Sequence, residues 1–85
     1  MKTTSYVIQD PLGIHARPAG ILVQTARNFQ AALVMEVGDK EADLKRIFAV
    51  MLLNAKMGTE VTIRATGEDE EEAIEAIADC LRKNF

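Results

Sequence analysis

Eighty-five residues suffice for one small core, so any activity must sit on the surface or in a shallow groove, with no separate substrate domain. Hydrophobic residues make up 48% and charged residues 27%, ordinary for a folded chain, while a net charge of −3 and the lack of Trp exclude nucleic acid as an expected partner. Cys80 is the sole cysteine, which excludes an internal disulfide, and no apolar run is long enough for a signal peptide or membrane insertion; a single domain over residues 1–85, located in the cytoplasm, is expected.

Thr4 to Ile8 is β-prone and predicts a first strand; Asp10, Pro11 and Gly13 mark a loop. A helix follows, with Pro18 suited to its first position because the missing N–H has no partner there. Ala19, Leu22, Val23 and Ala26 recur with helical spacing as one apolar stripe, closed by Phe29. Leu33 to Val37 predicts a second strand, which Gly38-Asp39 turns back into an antiparallel Lys40 to Asp43. Arg46 to Asn54 is apolar almost throughout. As a short helix it has two apolar faces, Ile47, Val50 and Leu53 on one and Phe48, Met51 and Leu52 on the other. A helix apolar all round is fully buried or offers a face to a partner, and full burial is hard in so small a domain. Asn54 suits the left-handed position that ends a helix.

Glu60 to Thr66 alternates cleanly, with Val61, Ile63 and Ala65 facing one way, so this strand is covered on one face only. Gly67 breaks it. Asp69, with Glu72 three residues on, predicts a capped helix start, and the acidic run Glu68 to Glu72 suits the positive end of the helix dipole. Ile74, Ile77, Ala78 and Leu81 form the stripe of this last helix, with Cys80 at its margin as a small core residue. The order is β-α-β-β-α-β-α, and the fold class is α+β. Strands with one polar face and helices with one apolar stripe share a core only as two layers, helices over one side of an antiparallel sheet.

The chemistry concentrates at His15, the only histidine. It precedes a helix start, where unpaired backbone N–H groups and the dipole receive anions. Arg17 adds a fixed charge with a fork suited to phosphate oxygens. A fixed positive charge nearby favours the neutral imidazole, which can attack phosphorus and hold the phosphoryl group. The plainer alternative is a solvated loop histidine. A metal site lacks ligands, since there is no second histidine and Cys80 has no partner spacing, and no cofactor is implied.

Gly13-Ile14-His15-Ala16-Arg17-Pro18 resembles the active-site signature of HPr, the histidine-containing phosphocarrier family of the bacterial phosphoenolpyruvate-dependent phosphotransferase system. Leu22 to Ala26, Asp43-Leu44-Lys45, Gly58 to Ile63 and the acidic start of the last helix resemble the same family at the same spacings, so the likeness covers essentially the whole chain. The resemblance implies an open-faced β-sandwich of four antiparallel strands covered on one face by three helices. It implies a carrier rather than an enzyme, one that takes a phosphoryl group on His15 Nδ1 from phosphorylated enzyme I. The group would pass to an enzyme IIA component, feeding sugar uptake. Arg17 would stabilise the group, and Phe48, Met51 and Leu52, with Ile21, would form the docking surface. A monomer is the simpler expectation for a shuttle.

The chain departs from the family in places. Gram-positive members carry a regulatory serine where this chain has Arg46, which has no hydroxyl, so phosphorylation by HPr kinase there is excluded. The arginine is either a solvated helix-start residue, paired with an acid, or a feature favouring acidic partners. Leu52 and Asn54 replace residues commonly small in the family. These changes suggest a pathway-specific or nitrogen-type relative. The rival reading is a non-catalytic HPr-like adaptor that acts by docking alone.

Overall fold

A computed structural model describes residues 1–85. The chain runs β1 (Lys2–Val7), α1 (Ala16–Ala26), β2 (Ala32–Val37), β3 (Lys40–Asp43), α2 (Ile47–Leu52), β4 (Glu60–Thr66) and α3 (Glu70–Asn84). The four strands form one antiparallel sheet in the order β1-β4-β2-β3. The three helices cover one face, as the one-sided strands require.

β4 sits between β1 and β2, with Ile63 opposite Thr4 on one edge and Met35 on the other. Val61, Ile63 and Ala65 are fully buried, as the alternation predicts, and join Leu33, Met35, Leu22, Ile77 and Leu81 in one core. Each large side chain buried there contributes roughly 1.5–3 kcal/mol. The other face of the sheet is polar: Arg64 pairs with Glu36 and, at 3.2 Å, with Glu41, while Ser5 and Thr62 share a hydroxyl contact.

Several local expectations change. α1 begins two residues before Pro18, which is its third residue. Proline is tolerated there for the same reason as at the first, since the first intrahelical bond is the one that Ala19 N–H donates to His15 O at 3.0 Å. The stripe of α3 is rotated: Ala73 and Cys80 are buried with Ile77 and Leu81, while Ala78 is only half-buried. Phe85, beyond the periodic stripe, closes that end of the core. Asn54 does take the left-handed conformation, at φ 53.

Asp69 stands at the start of α3 but does not cap it. Its Oδ2 accepts Gln30 N–H at 2.9 Å and its Oδ1 accepts Ala31 N–H at 2.8 Å, clamping the entry of β2. Glu70, the first residue of α3, accepts Gly67 N–H at Oε1 at 3.0 Å, which ties the helix to the turn before it. The expected pairing of Asp69 with Glu72 is therefore replaced, because long-range backbone donors reach the carboxylate first. The Gln30 bond foremost, then Ala31, hold the Asp69 carboxyl below the usual carboxylate range against the effect of burial. A lowered native value means a contribution present in full above the unfolded value of about 3.9 and lost as pH falls from there through the native value. Asp69→Asn, which keeps only one acceptor, is predicted to be less stable than wild type at neutral pH, with the gap closing in acid. Urea unfolding at a series of pH values checks this, and parallel stability curves would show that the clamp does not depend on the charge.

Candidate functional site

The loop from Gln9 to Ile14 is tied down along its length. The Asp10 carbonyl accepts Gly13 N–H at 2.8 Å, and Asp10 Oδ1 accepts Leu12 N–H at 2.9 Å, so Asp10 to Gly13 closes as a tight turn. Gly13 has φ 67, and a Cβ there would collide with the Ala55 carbonyl oxygen. Only glycine permits that approach. It lets Ile14 N–H donate to Ala55 O at 2.9 Å while the Ile14 side chain enters the core. On the other side of the turn, Gly58 N–H donates to Ile8 O at 2.7 Å, and Gln9 and Asp10 N–H donate to Phe85 O at 2.6 and 2.8 Å.

This loop delivers His15 as the residue immediately before α1, with extended backbone and no capping bond from its side chain. The first turn leaves the Ala16 and Arg17 N–H groups without an intrahelical partner, and Pro18 has none to offer. The His15 side chain is 35% exposed, and its Nε2 lies 3.1 Å from Asp10 Oδ2. Arg17 is exposed and pairs with no carboxylate. It lines an open groove along α1 with Gly20, Ile21, Gln24, Thr25 and Asn28. The group bonded to the ring is thus a carboxylate. Leu12 N–H first, then the His15 ring, hold the Asp10 carboxyl below the ordinary carboxylate range.

Phe48 and Leu52 are each 79% exposed on α2, as the two-faced helix predicts. Ile21 is 44% exposed on α1. The two helices meet where Gly20 faces the Ile47 Cδ1 methyl, so Ile21 and Phe48 flank the contact. Met51 is half-buried and packs against the core. Leu12 and Met57, at 72% and 58% exposed, add apolar surface on the two loops that carry the site. Periodicity could not find them, since neither lies in a helix or strand. Arg46 precedes α2, is exposed, and makes no ion pair. Asp10 is the functional neighbour that sequence reasoning misses. The Asp-Pro turn five residues before His15 is its only signal.

No group of histidine, cysteine or acidic side chains could hold a metal ion, and no helix is long and apolar enough to cross a membrane. The largest surface depression is open, is lined by Gln30, Val34, Glu41 and Lys45 among others at the β2–β3 edge, and excludes His15.

Residues 2–83 match the family described as PTS HPr component phosphorylation site. The chain is 47% identical over 81 residues to the phosphocarrier protein HPr of Lysinibacillus sphaericus, covering 95% of this chain and 92% of the relative. It is 45% identical over 85 residues to the phosphocarrier protein HPr of Mycoplasma genitalium, covering 99% and 97%. Among solved structures, HPr from Thermoanaerobacter tengcongensis superposes with a TM-score of 0.94 at 39% identity, covering 100% of this chain and 96% of that one. With sequence and architecture matched along nearly the whole length, the chain belongs to the HPr family, the phosphocarriers of the phosphotransferase system.

Proposed function

We propose that His15 is the residue that carries the phosphoryl group, taking it from phosphorylated enzyme I and passing it to an enzyme IIA component for sugar uptake in the cytoplasm. The observation that supports this most is the pairing of an accessible imidazole, at a helix start, with an arginine that has no carboxylate of its own. An uncommitted guanidinium two residues from the ring is available for an incoming anion.

The step balances without a cofactor. The lone pair of the ring nitrogen that Asp10 does not engage, Nδ1, forms the N–P bond. The bond from phosphorus to the donor breaks and its electron pair leaves with the donor. The reverse displacement by an acceptor nucleophile returns the pair to Nδ1. The Arg17 fork and the Ala16 and Arg17 N–H groups meet the charge of the phosphoryl oxygens. Ile21, Phe48 and Leu52, with the outer part of Met51, give the partners an apolar seat beside the site. Kinase control through residue 46 is absent, because Arg46 has no hydroxyl.

Incubation with phosphoenolpyruvate and a cognate enzyme I, followed by intact mass measurement, is expected to show an acid-labile phosphoryl adduct on the wild type and none on His15→Ala. An adduct on the alanine variant would move the site elsewhere; no adduct on either would favour an adaptor that acts by docking. Arg17→Glu is predicted to slow transfer by about 100-fold, with a stability change within about 0.5 kcal/mol. Equal loss of stability and transfer would make Arg17 structural. Phe48→Asp is predicted to weaken enzyme I binding by about tenfold or more with the circular dichroism spectrum retained. Calorimetric titration reads this, and unchanged affinity would place the docking seat elsewhere.

A further inference from the structure

We propose that Asp10 is a positioning residue for His15: its carboxylate, fixed by the loop, keeps the imidazole proton on Nε2 and leaves Nδ1 as the nucleophile. The inference rests on His15 being the phosphoryl-carrying residue and reacting through Nδ1, and it adds the residue of this chain that holds the ring in the tautomer this requires.

Asp10 is committed on every other side. Its N–H donates to Phe85 O at 2.8 Å, its carbonyl accepts Gly13 N–H at 2.8 Å, and its Oδ1 accepts Leu12 N–H at 2.9 Å. Only Oδ2 remains, and it lies 3.1 Å from His15 Nε2. The turn is itself held by Gly13 against Ala55 and by Phe85, whose ring is in the core. The carboxylate therefore cannot follow the ring, and the ring must come to it.

An ionised carboxylate only accepts hydrogen bonds. A neutral imidazole has one N–H, so this contact is made only when the proton is on Nε2, which leaves the lone pair on Nδ1. Nothing competes for that nitrogen, since the His15 side chain makes no capping bond to α1. When Nδ1 takes the phosphoryl group, the ring becomes cationic with Nε2 still protonated. The same carboxylate then stabilises that cation. Asp10 and Arg17 thus act on different parts of one intermediate, the carboxylate on the ring and the guanidinium on the phosphoryl oxygens.

The test reads the ring nitrogens directly. In protein labelled with 15N at histidine, the wild type is expected to show the Nε2–H tautomer enriched over free histidine. In Asp10→Asn the carbamoyl oxygen keeps the Leu12 N–H and the amide nitrogen turns to the ring. That makes Nε2 an acceptor and moves the proton to Nδ1. A shift of the tautomer ratio by about tenfold toward Nδ1–H is expected, with phosphoryl acceptance slowed by about tenfold or more. Asp10→Ala, which removes the group, is expected to bring the ratio to that of free histidine. Ring-nitrogen shifts unchanged in both variants would overturn the assignment, as would slowed acceptance that tracks only a loss of folded protein. The tautomer is read on unphosphorylated protein. A wild type that never acquires a phosphoryl group would therefore count against the carrier reading while leaving the tautomer result standing.

Discussion

β4 is bonded along both edges, to β1 and to β2, and its buried side chains lie under the helices. The rest of the architecture depends on that placement. A strand covered on one side only must find two neighbours of the same kind, and the helices must all lie on its apolar side. Central β4 also sets its leading loop, Ala55 to Thr59, against the loop that leaves β1, with bonds from Ile8 to Thr59 and from Ile14 to Ala55. The segment before α1 is thereby docked rather than free. The site is built at the place where the long-range pairing of β1 with β4 brings two loops together.

The charges around His15 are arranged by different devices. Arg17 is placed by helix geometry, in the first turn, and no ion pair neutralises it. Asp10 is placed by a tight turn whose backbone donors and acceptors are already used. The two opposite charges do not pair with each other: the carboxylate is taken up by Leu12 N–H and the ring, which leaves the guanidinium available. The ring thus has a carboxylate beside it while the guanidinium stays free of any ion pair.

Arg46 falls on a helix start, with a positive charge at the end of a dipole that favours negative ones. No contact in the fold compensates for it. The neighbouring apolar surface is extensive for so small a domain, running over Phe48 and Leu52 with Ile21, Leu12 and Met57 near the site loops. Membership of the HPr family accounts for the fold and the carrier role.

By itself the sequence determined the element order, the one-sided burial of β4, the two faces of α2, the left-handed Asn54 and the position of His15 and Arg17 at a helix start. These are properties of short segments, because periodicity, turn residues and proline act within a few residues of themselves. Only the tertiary structure decided that Asp10 reaches His15, that Asp69 clamps β2 instead of capping α3, that Met51 is half-buried and that Leu12 and Met57 stand out. Each of these is set by the group that lies opposite in space. A carboxylate bonds the nearest unpaired donor, and a methionine or leucine is core or surface according to the element packed over it. Most such partners are distant along the chain, and no local spacing carries their identity.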